Sequence, residues 1–117
     1  MSVDVGFTHI ALTASDLDAS ARFYADFANM SVVHDRIDTD VGIRVMWLSD
    51  RTRPFVIVLM ESENPTPILG PFAHLGVGCA SAAEVDRMAA KADAAGFLHK
   101  APSDYGYPVG YRALSLI

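Results

Sequence analysis

The stretch from Phe7 to Ala28 changes its hydrophobic period part-way along. Up to residue 14 the side chains alternate as in a β-strand, which divides them between two faces. One face holds Phe7, His9, Ala11 and Thr13, and the other holds Thr8, Ile10, Leu12 and Ala14. Apolar residues then recur at helical steps of three and four, at Leu17, Ala21, Tyr24 and Ala28. Ser15 followed by Asp18 predicts the start of this helix.

The rest of the chain is predicted to supply six further strands, one of them in a repeat of the first strand over 72–79, and one helix. Apolar, β-branched segments predict strands over 30–37, 42–50 and 53–61, with a polar turn, "DTDV", after the first. A second helix is predicted to begin at Ser81, with Glu84 as its capping partner, and to end at Gly96. Its apolar face comprises Val85, Met88, Ala89, Ala92 and Ala95. Two more strands are predicted over 97–101 and 108–117.

The second half of the chain repeats the first half. Residues 72–92 echo residues 7–27, so that Phe7-Thr-His9 returns as Phe72-Ala-His74, and both stretches lead into a helix start. We therefore predict an α+β fold of two tandem βαβββ modules in one domain, 1–117. The first module covers about 1–62, a proline-containing linker about 63–71, and the second module about 72–117, without its last strand.

Composition excludes several classes of function. Hydrophobic residues make up 51% of the chain and charged residues 20%, as in a globular domain, and no apolar run is long enough to cross a membrane. The formal net charge of −5 and the scattered basic residues argue against nucleic-acid binding. A single cysteine and no evident signal peptide predict a reducing, cytoplasmic location.

The chain resembles the vicinal oxygen chelate superfamily, which includes glyoxalases, extradiol dioxygenases, and fosfomycin- and bleomycin-resistance proteins. The resemblance is carried by "FTHIALTASDLDASARFYADF", "FAHLGVGCAS" and "APSDYGYPVGYRA". It implies curved mixed sheets around a cleft, a small-molecule ligand and a divalent metal such as Zn, Ni, Mn or Fe. It also implies a metal-dependent lyase, isomerase or dioxygenase, and frequent homodimers.

The two repeated histidines are the candidate metal ligands. His9 and His74 occupy equivalent strand positions and would face one cavity if the two halves are arranged alike. The resemblance also implies a carboxylate from the last strand of a module. Val58 stands about where the first would be expected, so Glu61 is a candidate only in a shifted register. The second carboxylate would fall beyond Ile117, so the site is truncated, completed from elsewhere, or lost.

Four other residues are candidate substrate-binding groups: Trp47, Tyr105, Tyr111 and Arg112. We interpret His34 and His99, which have no repeat partners, as structural. The alternative to a metalloenzyme is a metal-free protein of the bleomycin-resistance type that holds a drug-like cation. The segment "YRALSLI" ends the chain on alternating apolar residues, and such an edge strand predicts a homodimer with strands or whole modules paired across subunits.

Overall fold

The computed structural model describes residues 6–66, 74–106 and 110–115. The chain divides into two units, Met1–Ala73 and His74–Ile117. The first unit contains β1 (His9–Ala14), α1 (Leu17–Ala28), β2 (Ser31–Asp38), β3 (Ile43–Ser49) and β4 (Val56–Glu61). The second contains α2 (Ala82–Ala94), β5 (Leu98–Asp104) and β6 (Tyr111–Ser115). The predicted α+β class is confirmed.

The first unit is a complete βαβββ module. Its strands lie in the order β1-β4-β3-β2, with β1 parallel to β4 and the other pairs antiparallel. A parallel pair needs a long crossover, and α1 with the β2–β3 hairpin supplies it. The helix packs on one side of the sheet around five buried residues: Leu17, Met46, Leu48, Ile57 and Leu59. We call this side of the sheet the helix face.

Helix α1 begins one residue later than the sequence predicts. Asp16, rather than Ser15, has the extended backbone of an N-cap, and its Oδ1 accepts a hydrogen bond of 3.0 Å from the N–H of Ala19. Asn29 ends the helix in the left-handed conformation, with φ of 53°. The predicted apolar stripe is confirmed, because Leu17 and Ala28 are buried while Ala21 and Tyr24 pack against the core.

Arg44 links three elements of the first unit. Its Nε and Nη2 donate to the two carboxylate oxygens of Asp35 on β2, at 3.0 and 2.7 Å. Its Nη1 donates to Asp18 in the first turn of α1, at 3.0 Å. These hydrogen bonds hold the pKa of each carboxyl below its ordinary value. The arrangement joins the start of the helix to the β2–β3 hairpin.

The second unit has a helix packed on a two-stranded sheet. Ser81 caps α2 as predicted, its Oγ accepting from the N–H of Glu84 at 3.2 Å. Gly96, with φ of 81°, follows the helix; the N–H of Phe97 donates to Ala92 O and that of Gly96 to Asp93 O. This pair of bonds is the Schellman motif, in which glycine is favoured. Residues buried in α2 are Ala89 and Ala92.

The predicted first strand of the second module is not formed over the part that the structure describes. Residues 74–79 are exposed and lie outside any strand, while 72 and 73 lie outside the described residues. In the first unit, β1 is held by its ladder with β4. The described sheet of the second unit consists of β5 and β6, and residues 74–79 form no ladder with either strand. Alternating side chains therefore do not suffice for a strand.

The predicted linker, 63–71, falls partly outside the described residues, since 67–73 are not described. The predicted strand over 97–101 is longer in the structure, as β5 continues to Asp104. Among the described helices, none is long and apolar enough to span a membrane.

Candidate functional site

The side of the first unit's sheet opposite the helix face carries the candidate site. Strand pairing places His9 beside Val56, Val58 beside Trp47, and Trp47 opposite His34. Paired residues point to the same side of a sheet, and alternate residues along a strand share a side. We call this side the histidine face; it includes His9, Ala11, His34, Arg36, Trp47, Val56, Val58 and Met60.

His9 is an exposed imidazole on the histidine face. The neighbouring residues Ile10 and Leu12 pack against the core, so the predicted division of β1 into two faces is confirmed. The Nδ1 of His9 lies 3.0 Å from the hydroxyl oxygen of Thr8. Among the described residues this is the one hydrogen bond of the His9 side chain, and it involves Nδ1 and not Nε2.

Glu61 does not share the histidine face. It ends β4 on the same side as Ile57 and Leu59, because alternate residues of a strand share a face. Its Oε1 lies 3.5 Å from the backbone N–H of Arg44, which donates to it. The register that would turn Glu61 toward His9 is therefore not the register of this sheet.

Val58 occupies the position where a family-type carboxylate was expected. It lies on the histidine face, paired with Ala11 on one side and Trp47 on the other. The residues of β4 on this face are Val56, Val58 and Met60. Strand β4, which is described throughout, thus brings no carboxylate to the side of His9.

Trp47 is half-buried and lies beside the imidazole of His34 and the guanidinium of Arg36. The His34 ring lies 4.6 Å from the indole, centroid to centroid, and the Arg36 guanidinium carbon lies 5.9 Å from the indole centroid. Our reading of His34 as merely structural missed this grouping. The predicted strand ends, Ile37 and Gly42, would set His34 opposite Val45, whereas the observed pairing starts with Asp38 opposite Ile43 and sets His34 opposite Trp47.

Two candidates of the second unit contact each other. The Arg112 guanidinium carbon lies 4.2 Å above the centroid of the Tyr105 ring, a cation–π geometry. The Nε of Arg112 is buried and has no hydrogen-bond partner among the described residues. An unsatisfied buried donor of this kind carries a desolvation cost that a bound anion would relieve.

Tyr111 begins β6, within the predicted strand over 108–117, and its hydroxyl donates to Asp86 of α2 at 2.5 Å. This hydrogen bond raises the pKa of Tyr111. The hydrogen bond links α2 to β6. Tyr107, which lies between Tyr105 and Tyr111 in the sequence, is outside the described residues.

Comparison with known proteins decides the family. Residues 6–114 match the model of the Glyoxalase/Bleomycin resistance protein/Dioxygenase superfamily. The chain belongs to this superfamily. The resemblance read from the sequence is therefore confirmed.

The chain is also similar to individual proteins of known sequence or structure. The uncharacterized protein PA2024 of Pseudomonas aeruginosa is 38% identical over 107 residues, covering 89% of this chain and 75% of that protein. A variant of the fosfomycin resistance protein FosX from Listeria monocytogenes, complexed with Mn(II) and 1S,2S-dihydroxypropylphosphonic acid, has a TM-score of 0.71. It is 18% identical, with 97% of this chain and 93% of that chain covered.

A glyoxalase family protein from Enterococcus faecalis has the same fold, with a TM-score of 0.65. It is 13% identical, and the match covers 96% of this chain and 89% of that chain. At these identities the structural likeness establishes the fold of the superfamily and leaves the chemistry to the residues themselves.

Donors for a metal site are sparse among the described residues. His74 begins the second unit in a segment without regular structure. Across residues 6–66, 74–106 and 110–115, no group of three or more His, Cys, Asp or Glu side chains is arranged to hold a metal. Each unit offers one imidazole from the repeat, and further donors would have to be water, substrate or a group outside those residues.

Proposed function

We propose that this chain is a divalent-metal-dependent enzyme of the glyoxalase/dioxygenase superfamily that acts on a small oxygenated molecule. His9 and His74 are the proposed protein ligands. The observation that carries the proposal is the exposed imidazole of His9 on the histidine face, with Nδ1 beside Thr8. His74 is included because it is the counterpart of His9 in the sequence repeat.

The environment of His9 suits a metal ligand. A ligating histidine commonly donates its second ring N–H to an oxygen, which fixes the tautomer and orients the ring. The Thr8 hydroxyl, at 3.0 Å from Nδ1, can accept that bond and leave Nε2 to the ion. Imidazole donors suit Zn, Ni and Fe, and a variant of FosX, which has this fold, was crystallised in complex with Mn(II). We leave Glu61 out of the ligand set because it shares the face of Leu59.

A bound cation would act as a Lewis acid toward oxygen atoms of the substrate. The chain's own residues would supply binding. Trp47 offers an indole surface beside His34 on the histidine face. In the second unit, Arg112 stacked on Tyr105 offers a guanidinium for an anionic group. Tyr111 would contribute its ring, since Asp86 holds its hydroxyl.

Elemental analysis of the purified protein tests the proposal. We expect wild-type protein to retain a divalent metal after dialysis, and His9→Ala and His74→Ala to lose most of it. His99→Ala is the matched control, because His99 is an exposed histidine on β5 outside the proposed site. If both variants retain as much metal as the wild type and the control, the ligand assignment is wrong.

A metal-free binding protein of the bleomycin-resistance type is the second candidate. The observation in its favour is Val58, an apolar residue paired with Trp47 where a carboxylate ligand was expected. A binding protein needs the apolar and aromatic surface and not the ligands. Calorimetric titration of EDTA-treated protein with bleomycin separates the two candidates. Tight binding that persists in the His9→Ala/His74→Ala variant supports sequestration, and no binding contradicts it.

A further inference from the structure

We propose that Trp47, His34 and Arg36 form a subsite for a planar organic anion. The ring of the ligand would lie against the indole, and its carboxylate or similar group would pair with the Arg36 guanidinium. The claim that such an anion is the substrate rests on the enzymatic function proposed above. Binding to the subsite itself requires no metal, so it is tested separately.

The β2–β3 hairpin brings the three side chains together. His34 and Arg36 are two residues apart on β2 and therefore share a face, and Trp47 is the strand partner of His34. The centroid of the indole lies 4.6 Å from that of the His34 ring and 5.9 Å from the Arg36 guanidinium carbon. An aromatic surface bordered by a guanidinium and an imidazole favours an anionic, unsaturated ligand over a cationic one.

The two arginines of this hairpin differ in how firmly they are held. Arg44, on the helix face, makes two hydrogen bonds to Asp35 and one to Asp18, at 2.7 to 3.0 Å. Arg36 makes a single ion pair, with Asp38 at 3.6 Å, and its side chain is 40% exposed. An exposed pair of this length contributes little. Arg36 can therefore exchange Asp38 for the carboxylate of a ligand at small cost, whereas Arg44 cannot.

A neutral ligand would gain only the stacking contribution. An anion gains both stacking on Trp47 and a charge-assisted hydrogen bond from Arg36, which is the stronger kind. Arg36 presents a planar fork of N–H donors that matches a carboxylate. The preference for an anion should therefore depend mainly on the positive charge of this side chain and, to a smaller extent, on the geometry of its donors.

The single tryptophan of the chain makes the test local, because Trp47 fluorescence reports on this site alone. We would titrate EDTA-treated protein with 4-nitrobenzoate and with 4-nitrobenzyl alcohol, which quench indole fluorescence and differ in charge. N-acetyltryptophanamide corrects for light absorption by the probes. We expect the anion to bind at least about tenfold more tightly than the alcohol, the size of one charged hydrogen bond.

Variants of Arg36 decide the assignment. Arg36→Gln should bring the two dissociation constants together, and Arg36→Lys should keep part of the preference. Arg22→Gln, an exposed arginine on α1, should retain the wild-type preference. Equal affinities in the wild type, or an unchanged preference in Arg36→Gln, would overturn the proposal. The metal content of the protein is measured independently of this titration. Failure of this subsite is therefore distinguishable from failure of the metal site.

Discussion

Val58 and Trp47 are strand partners on β4 and β3, and both face the side of the sheet that carries His9. A valine stands where the resemblance predicts a carboxylate ligand, and its strand partner is the one tryptophan of the chain. The histidine face therefore combines a sparse set of metal donors with an aromatic surface flanked by Arg36. This combination is the basis of the predictions below.

Restoring a carboxylate at position 58 should strengthen metal binding. Val58→Glu places a carboxylate, a common ligand of divalent ions, on the face of His9, and an added bond of only about 1.4 kcal/mol would lower Kd about tenfold. We expect a lower Kd for Mn²⁺ or Zn²⁺ in Val58→Glu, measured by calorimetry on metal-stripped protein. Val58→Gln is the control of the same size without the charge. Equal affinity in the two variants would show that position 58 does not reach the ion.

Acidification should weaken the first unit through Arg44. The pKa values of Asp18 and Asp35 lie below their ordinary value of 3.8, because each accepts a hydrogen bond from Arg44. A lowered folded-state pKa stabilises the protein above the unfolded-state value, and this contribution is lost as the pH falls through the folded-state pKa. Urea unfolding at about pH 6 and about pH 3 should show a larger loss in wild type than in Arg44→Gln.

Arg36→Gln is the matched control for Arg44→Gln, since its ion pair with Asp38 is long and single. Its pH dependence should match that of the wild type. An Arg44→Gln variant that loses as much free energy of unfolding on acidification as wild type does would contradict the assigned role of Arg44.

The N-cap of α1 provides a direct comparison between neighbouring residues. Asp16→Ala removes the side chain that accepts from Ala19, and the loss of an N-cap costs about 1 kcal/mol of unfolding free energy. Ser15→Ala removes a hydroxyl that does not cap the helix, so its effect should be within about 0.5 kcal/mol. Chemical denaturation of both variants measures the difference. A larger loss of unfolding free energy in Ser15→Ala than in Asp16→Ala would show that Ser15 is the N-cap.

Much of the first unit could be predicted from periodicity. Ile10 and Leu12 face the core and His9 does not, as strand alternation requires. The choice between Ser15 and Asp16 could not be made, because both residue types cap helices and the backbone decides between them. Glu61 was uncertain for a related reason, since a one-residue change of register moves a side chain to the other face.

The second unit was harder to predict. The alternation over 72–79 matches that of β1, but a strand also needs a neighbour to pair with, and the sequence does not say which neighbour is present. Contacts distant in sequence were also missed, among them the bond between Tyr111 and Asp86. The pairing of His34 with Trp47 depends on the exact bounds of the turn, because strands that end at 37 and begin at 42 would pair His34 with Val45 instead.

We predict that the protein is a homodimer. Strand β2 is an outer strand of the sheet, and its Val32 and Ile37 are 44% and 62% exposed. Covering such side chains and an unpaired strand edge with a second copy removes apolar area from water. Light scattering should give twice the chain mass of 12.6 kDa. Ile37→Lys should shift the mass toward the monomer, whereas Thr39→Lys, in the exposed turn, should not.

A monomer mass for the wild-type protein at micromolar concentration would contradict the dimer. A dimer that Ile37→Lys leaves intact would place the interface elsewhere on the chain.

The most direct test of the central claim is whether His9 and His74 bind the same ion. Metal-stripped wild type, both single alanine variants, the double variant and His99→Ala would be titrated with Zn²⁺ against a chromophoric chelator. Shared ligation predicts one ion per chain, a loss of at least about tenfold in affinity in each single variant, and little further loss in the double variant. Wild-type affinity in both single variants, or losses that simply add in the double variant, would contradict it.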